Sequence, residues 1–90
     1  MRRDDPWAAL SEPVAHRVFE EVVQNRLIRM GALLKRVEDV ADRQSIRKTL
    51  EALKEAQLIA EKPSAVEDFT TYYVTAEGLE ASRKTGKMRR

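Results

Sequence analysis

Ninety residues suffice for one domain with one modest core and are too few for a substrate pocket with a supporting layer behind it, which argues against an enzyme. The absence of cysteine excludes disulfides, thiolate metal sites and cysteine nucleophiles together, and suits a reducing, cytoplasmic setting. Seventeen basic against fifteen acidic side chains leave a formal charge of +2, too small a total to designate a nucleic-acid partner, so the distribution of charge has to carry that argument.

The N-terminus, Met1-Arg2-Arg3-Asp4-Asp5-Pro6-Trp7, has charges without a following apolar run, so it does not read as a signal peptide, and no later stretch is long and apolar enough for a membrane span. Residues 1–10 are expected to be a flexible end, with Trp7, Pro6 and Leu10 forming an apolar cluster that packs on this domain or on a neighbour. Ser11-Glu12-Pro13 offers a capping hydroxyl and a proline for a first helical turn. Val14, Val18 and Val22, with Phe19 and Val23 beside them, then predict an amphipathic helix to about Ile28. Beyond Gly31, Leu33, Leu34 and Val37 form the apolar side of a short second helix that ends at Glu38-Asp39, and Val40 is expected to tuck into the core.

Asp42 can cap a third helix in which Ile46, Leu50 and Leu53 recur at four- and three-residue spacing, ending near Ala56-Gln57. Leu58 to Glu61 predicts a strand, Lys62-Pro63-Ser64 a turn, and Thr70 to Val74 the partner strand. The pair should pack on the helices through Ile59, Tyr72 and Val74. Thr75 then caps a short final helix, and residues 85–90 are expected to form a second flexible end. No repeat or linker interrupts this order, so residues 1–90 read as a single domain of α+β class, mainly α: a winged helix-turn-helix of three helices, a two-stranded wing and a short C-terminal helix.

Charge concentrates in the middle of that plan. Between Arg26 and Lys54 lie eight basic side chains and four acidic ones, whereas the segments on either side are balanced or acidic. With Ile46, Leu50 and Leu53 turned inward, helical geometry sets Arg43, Gln44, Arg47, Lys48 and Glu51 outward, with Ser45 near the first turn. In a helix-turn-helix the second helix of the pair enters the major groove, where Arg and Gln match guanine and adenine edges and Lys and Ser suit phosphates. Any amphipathic helix with a basic wet side would give a similar set, so the context of the helix matters.

The run from Ile46 to Ile59, followed by Tyr72-Tyr73-Val74-Thr75-Ala76-Glu77-Gly78, resembles the winged-helix transcriptional regulators of the MarR, ArsR and PadR type. The resemblance spans about Ala32 to Leu79. It implies sequence-specific binding of double-stranded DNA by a homodimer, with Asp42, Arg43, Gln44, Ser45, Arg47 and Lys48 facing the DNA and Thr75 capping the helix after the wing. Arg36 is expected to add electrostatic anchoring and Lys62 to serve the wing. Dimerisation is expected through the flanking helical segments, Pro6 to Ile28 and Thr75 to Lys84, and no cofactor is implied.

Three features depart from the pattern. Gln57 stands where glycine usually follows the third helix, the turn at Glu38 to Ala41 has no glycine, and the wing tip Val66-Glu67-Asp68-Phe69 is acidic where a DNA-tracking wing normally brings Lys or Arg. That acidic tip keeps an alternative open: a winged helix used as a protein-interaction or assembly module, contacting its partner through the wing or the Trp7 segment. His16 is the single histidine, expected to be partly exposed and too isolated for a zinc site. Glu20-Glu21 and Glu38-Asp39 are sequence neighbours that point apart on a helix, the serines lack a histidine at motif spacing, and Gly31, Gly78 and Gly86 form no phosphate loop, so no metal site and no catalysis are expected.

Overall fold

Proline at the first helical position, with its backbone angle preset, starts the first helix of the computed structural model, which describes residues 12–88. This helix, α1 (Pro13–Asn25), buries Ala15, Val18, Phe19 and Val22, one stripe at helical spacing. Its N-cap Glu12 makes no side-chain capping bond; Ser11 and the Trp7 cluster lie outside the described residues. The helix stops three residues earlier than the periodicity predicts, because Arg26 takes a left-handed φ of 67° and its N–H bonds the Val23 carbonyl. Leu27–Arg29 then forms a short strand, β1, with Ile28 facing in and its neighbours facing out. Three residues of alternation are too few to outweigh a helical pattern that runs up to them, and the strand is fixed by its hydrogen-bonding partner rather than by its own sequence.

The second helix, α2 (Met30–Arg36), follows with no loop and buries Met30 and Leu33. In the turn after it, the N–H groups of Val40 and Ala41 both bond the Val37 carbonyl. That tight turn leaves Val40 41% exposed, contrary to the expected burial, and brings Ala41 against the core in its place. Helix α3 (Arg43–Glu55) opens on Asp42, whose carboxylate accepts from the Ser45 N–H at 2.9 Å, and buries Ile46, Leu50 and Leu53. It closes in a Schellman motif: the Leu58 N–H reaches the Leu53 carbonyl, the Gln57 N–H reaches the Lys54 carbonyl, and Gln57 carries a φ of 65°.

Strands β2 (Ile59–Lys62) and β3 (Thr71–Val74) are antiparallel, joined across a 3-10 turn at Glu67–Phe69. Among the described residues the sheet has three strands in the order β1-β3-β2, not the two expected, because Leu27, Ile28 and Arg29 pair with Tyr73, Tyr72 and Thr71. Ile59 and Tyr72 are buried against the helices and Val74 packs on the same core, as the alternation predicts. Thr75 joins the sheet to the last helix, α4 (Ala76–Met88), which is longer than the short helix expected. The Thr75 hydroxyl accepts from the Gly78 N–H at 2.9 Å and reaches back to the Gln57 and Leu58 carbonyls. This single side chain thereby ties the cap of α4 to the end of α3.

Leu33, Ile46, Leu50, Leu53 and Leu58 are at most 1% exposed, and each such burial stabilises the fold by roughly 1.5–3 kcal/mol relative to exposure. The result is a mainly helical α+β domain in which α2 and α3 form a helix-turn-helix and β2, β3 and their connection form the wing. The fold is a winged helix.

Candidate nucleic-acid interface

Three buried residues, Ile46, Leu50 and Leu53, fix the rotation of α3 about its axis, so the polar residues between them face outward whatever their chemistry. Arg43, Gln44, Ser45, Arg47 and Lys48 are all exposed along its first turns. Asp42 is exposed too, but its carboxylate is engaged in capping, and the hydrogen bond from Ser45 holds it below the usual carboxylate range. Its role in the structure is to start α3; an ionised carboxylate has no donor to offer a phosphate.

The two arginines are not idle. The connection between β2 and β3 folds toward α3, and Glu67 receives the Arg47 guanidinium as a fork: Nε to Oε2 at 2.6 Å and Nη2 to Oε1 at 3.0 Å. Arg43 Nη1 donates to the same carboxylate at 2.7 Å and to Asp68 Oδ1 at 3.1 Å. Asp68, and then Glu67, make the Arg43 guanidinium hold its proton more tightly than usual, and Glu67 does the same for Arg47. In return the hydrogen bond from Arg47 holds the Glu67 carboxyl below its ordinary range. The 3-10 turn carrying these acids also lies on the start of α2, where a Cβ added to Gly31 would stand 3.4 Å from Asp68.

Gln44, Ser45 and Lys48 project beside this cluster, and among the described residues Lys48 makes no ion pair. Arg36 lies at the end of α2, 3.6 Å from Glu21 of α1, and its carbonyl accepts from Arg17. Its guanidinium is therefore turned toward the first helix. Lys62 is exposed at the end of β2, opposite Thr71. The fold thus brings Arg43, Gln44, Ser45, Arg47 and Lys48 onto one face, with Arg36 and Lys62 outside that cluster.

The acidity of Glu67 and Asp68 is evident in the sequence, but their destination is not. The available signal was a match of spacing: two arginines one helical turn apart and two adjacent acids at the tip of a wing that must return past that helix. Beyond this face, His16 is partly exposed, its side chain 3.4 Å from Glu20. No group of three His, Asp or Glu side chains among the described residues is placed to hold a metal, and none of their helices is long and apolar enough to cross a membrane.

No protein-family model and no curated protein sequence matches the chain. In structure it is similar to a crystallised protein described as a possible transcriptional regulator for arsenical resistance, with a TM-score of 0.72 and 21% identity, covering 93% of this chain and 82% of that one. At that identity the likeness establishes the shared fold.

Proposed function

We propose that this protein is a transcriptional regulator that binds duplex DNA by laying α3 in the major groove. The observation that carries the reading is the outward row of Gln44, Ser45 and Lys48, with Arg43 and Arg47 beside it, on the second helix of a helix-turn-helix. Gln44 has the paired donor and acceptor that suit an adenine edge, and Lys48 and Ser45 suit phosphates. The fold shared with a possible transcriptional regulator supports the same reading. A homodimer would present two copies of α3 to two half-sites, as the family resemblance implies.

Fluorescence anisotropy with random-sequence duplex DNA tests the proposal. Binding should strengthen steeply as salt falls, and Lys48→Ala should reduce the slope of log affinity against log salt by about 0.9 if Lys48 contacts one phosphate. Absence of binding at low salt would remove DNA as the partner. A second reading, a protein-interaction module, is favoured by one observation: the acids of the wing neutralise the two arginines that would otherwise make α3 most strongly basic.

A further inference from the structure

We infer that the wing tip is a built-in competitor for DNA: Glu67 and Asp68 occupy Arg43 and Arg47 in the way a phosphate or a guanine edge would, and so hold the recognition helix in a restrained state. This rests on the DNA-binding reading above and adds the regulation of that same face. The fork between Glu67 and Arg47 has the geometry by which guanidinium groups grip phosphates, two near-parallel N–H donors to two oxygens of one anion. Arg43 joins the same carboxylate and adds Asp68, so two acids satisfy two arginines within one cluster. Because the acids are on the same chain, they act at an effective concentration on the order of millimolar or above, which an external phosphate must exceed or displace.

The arrangement is open to displacement. All four side chains are substantially exposed, at 40–52% of their area, so water and salt screen the pairs and the restraint is modest. The acids belong to a three-residue 3-10 turn that has no buried residue of its own, while Thr70 just after it is buried and its carbonyl accepts from the Met30 N–H at 2.8 Å, so the connection is anchored behind the acids rather than at them. Moving that turn away from α3 would expose both guanidinium groups and carry two negative charges off the DNA-facing surface. The contact therefore sets two levels of affinity. With the wing in place, α3 offers Gln44, Ser45 and Lys48; with the wing displaced, it offers Arg43 and Arg47 as well. A partner that draws the acidic turn away, such as a basic segment of another protein, would raise DNA affinity without touching α3.

The test uses the full chain, random-sequence duplex DNA and anisotropy across a salt series, comparing the wild type, Glu67→Gln with Asp68→Asn, and Glu67→Ala with Asp68→Ala. Circular dichroism verifies that each is folded. Both charge-free wings should bind about fivefold to tenfold tighter at low salt, and their salt slope should steepen by up to about 1.8, one phosphate for each arginine released. Adding Arg43→Ala and Arg47→Ala should cost much more affinity in the charge-free background than in the wild type, a difference read by the double-mutant cycle. Equal binding by wild-type and charge-free wings overturns the competitor and leaves the DNA reading standing. Weaker binding by the charge-free wings also overturns it, since the acids would then be positioning the arginines for DNA. No binding by any of the variants overturns the DNA reading and the competitor with it.

Discussion

Replacing Gln57 by glycine should make the protein more stable, although the change removes a side chain and touches nothing in the core. Gln57 follows the last turn of α3 in a left-handed conformation, φ 65°, which its Cβ makes unfavourable by about 1–2 kcal/mol. The motif needs this conformation. It aims the Gln57 and Leu58 N–H groups at the Lys54 and Leu53 carbonyls, and presents the Gln57 carbonyl to the Thr75 hydroxyl. Glycine keeps all of these backbone bonds and relieves the strain, at a cost of roughly 0.5–1 kcal/mol for its greater freedom in the unfolded chain. The net gain is about 0.5–1 kcal/mol, a rise in Tm of roughly 3–6 °C for a domain of this size. Thermal unfolding followed by circular dichroism reads it, and Gln57→Ala, which keeps the Cβ, should show no such gain. A lower Tm for Gln57→Gly would instead mean that the glutamine side chain contributes more than its backbone strain costs.

Gly78 makes the opposite case. A Cβ there would stand 2.1 Å from the Leu58 carbonyl oxygen and 2.7 Å from a Val74 methyl, so Gly78→Ala should lower stability by about 2 kcal/mol or more despite alanine's better helix propensity, a drop in Tm of roughly 8 °C or more. Asp42→Ala should lower the urea midpoint at neutral pH by removing the cap of α3. Because the folded-state pKa of Asp42 lies below its unfolded value, the cap's charged contribution is complete above the ordinary carboxylate range and is lost as pH falls through the lowered folded value. The difference between wild type and variant should therefore shrink on acidification; a difference that grows would show that the carboxylate is not the stabilising species.

The parts of the fold that follow from helical spacing were legible in the sequence. The Ile46, Leu50 and Leu53 stripe, the Asp42 and Thr75 caps and the inward faces of Ile59 and Tyr72 are local patterns, and local patterns decide them. What escaped depends on partners distant in the chain. Strand β1 is three residues long and exists because Tyr72 and Tyr73 lie beside it, so its own residues could not separate it from the end of α1. Val40 is exposed despite its apolar side chain, because hydrophobicity does not report which way a tight turn points. The outward residues of α3 were readable as a set from its inward stripe. The engagement of two of them by the wing was not, since it joins residues at least twenty positions apart through exposed ion pairs that leave no periodic trace.

The proposed meeting of DNA with the outward face of α3 can be observed residue by residue. At 10.3 kDa the domain suits amide-resolved NMR titration with a short random-sequence duplex. Shifts should concentrate at residues 42–48, with smaller ones across the wing at residues 62–70 as Glu67 and Asp68 yield their arginines. Shifts confined to α1, α4 or the outer face of the sheet at Leu27 and Tyr73, with residues 42–48 unmoved, would contradict it.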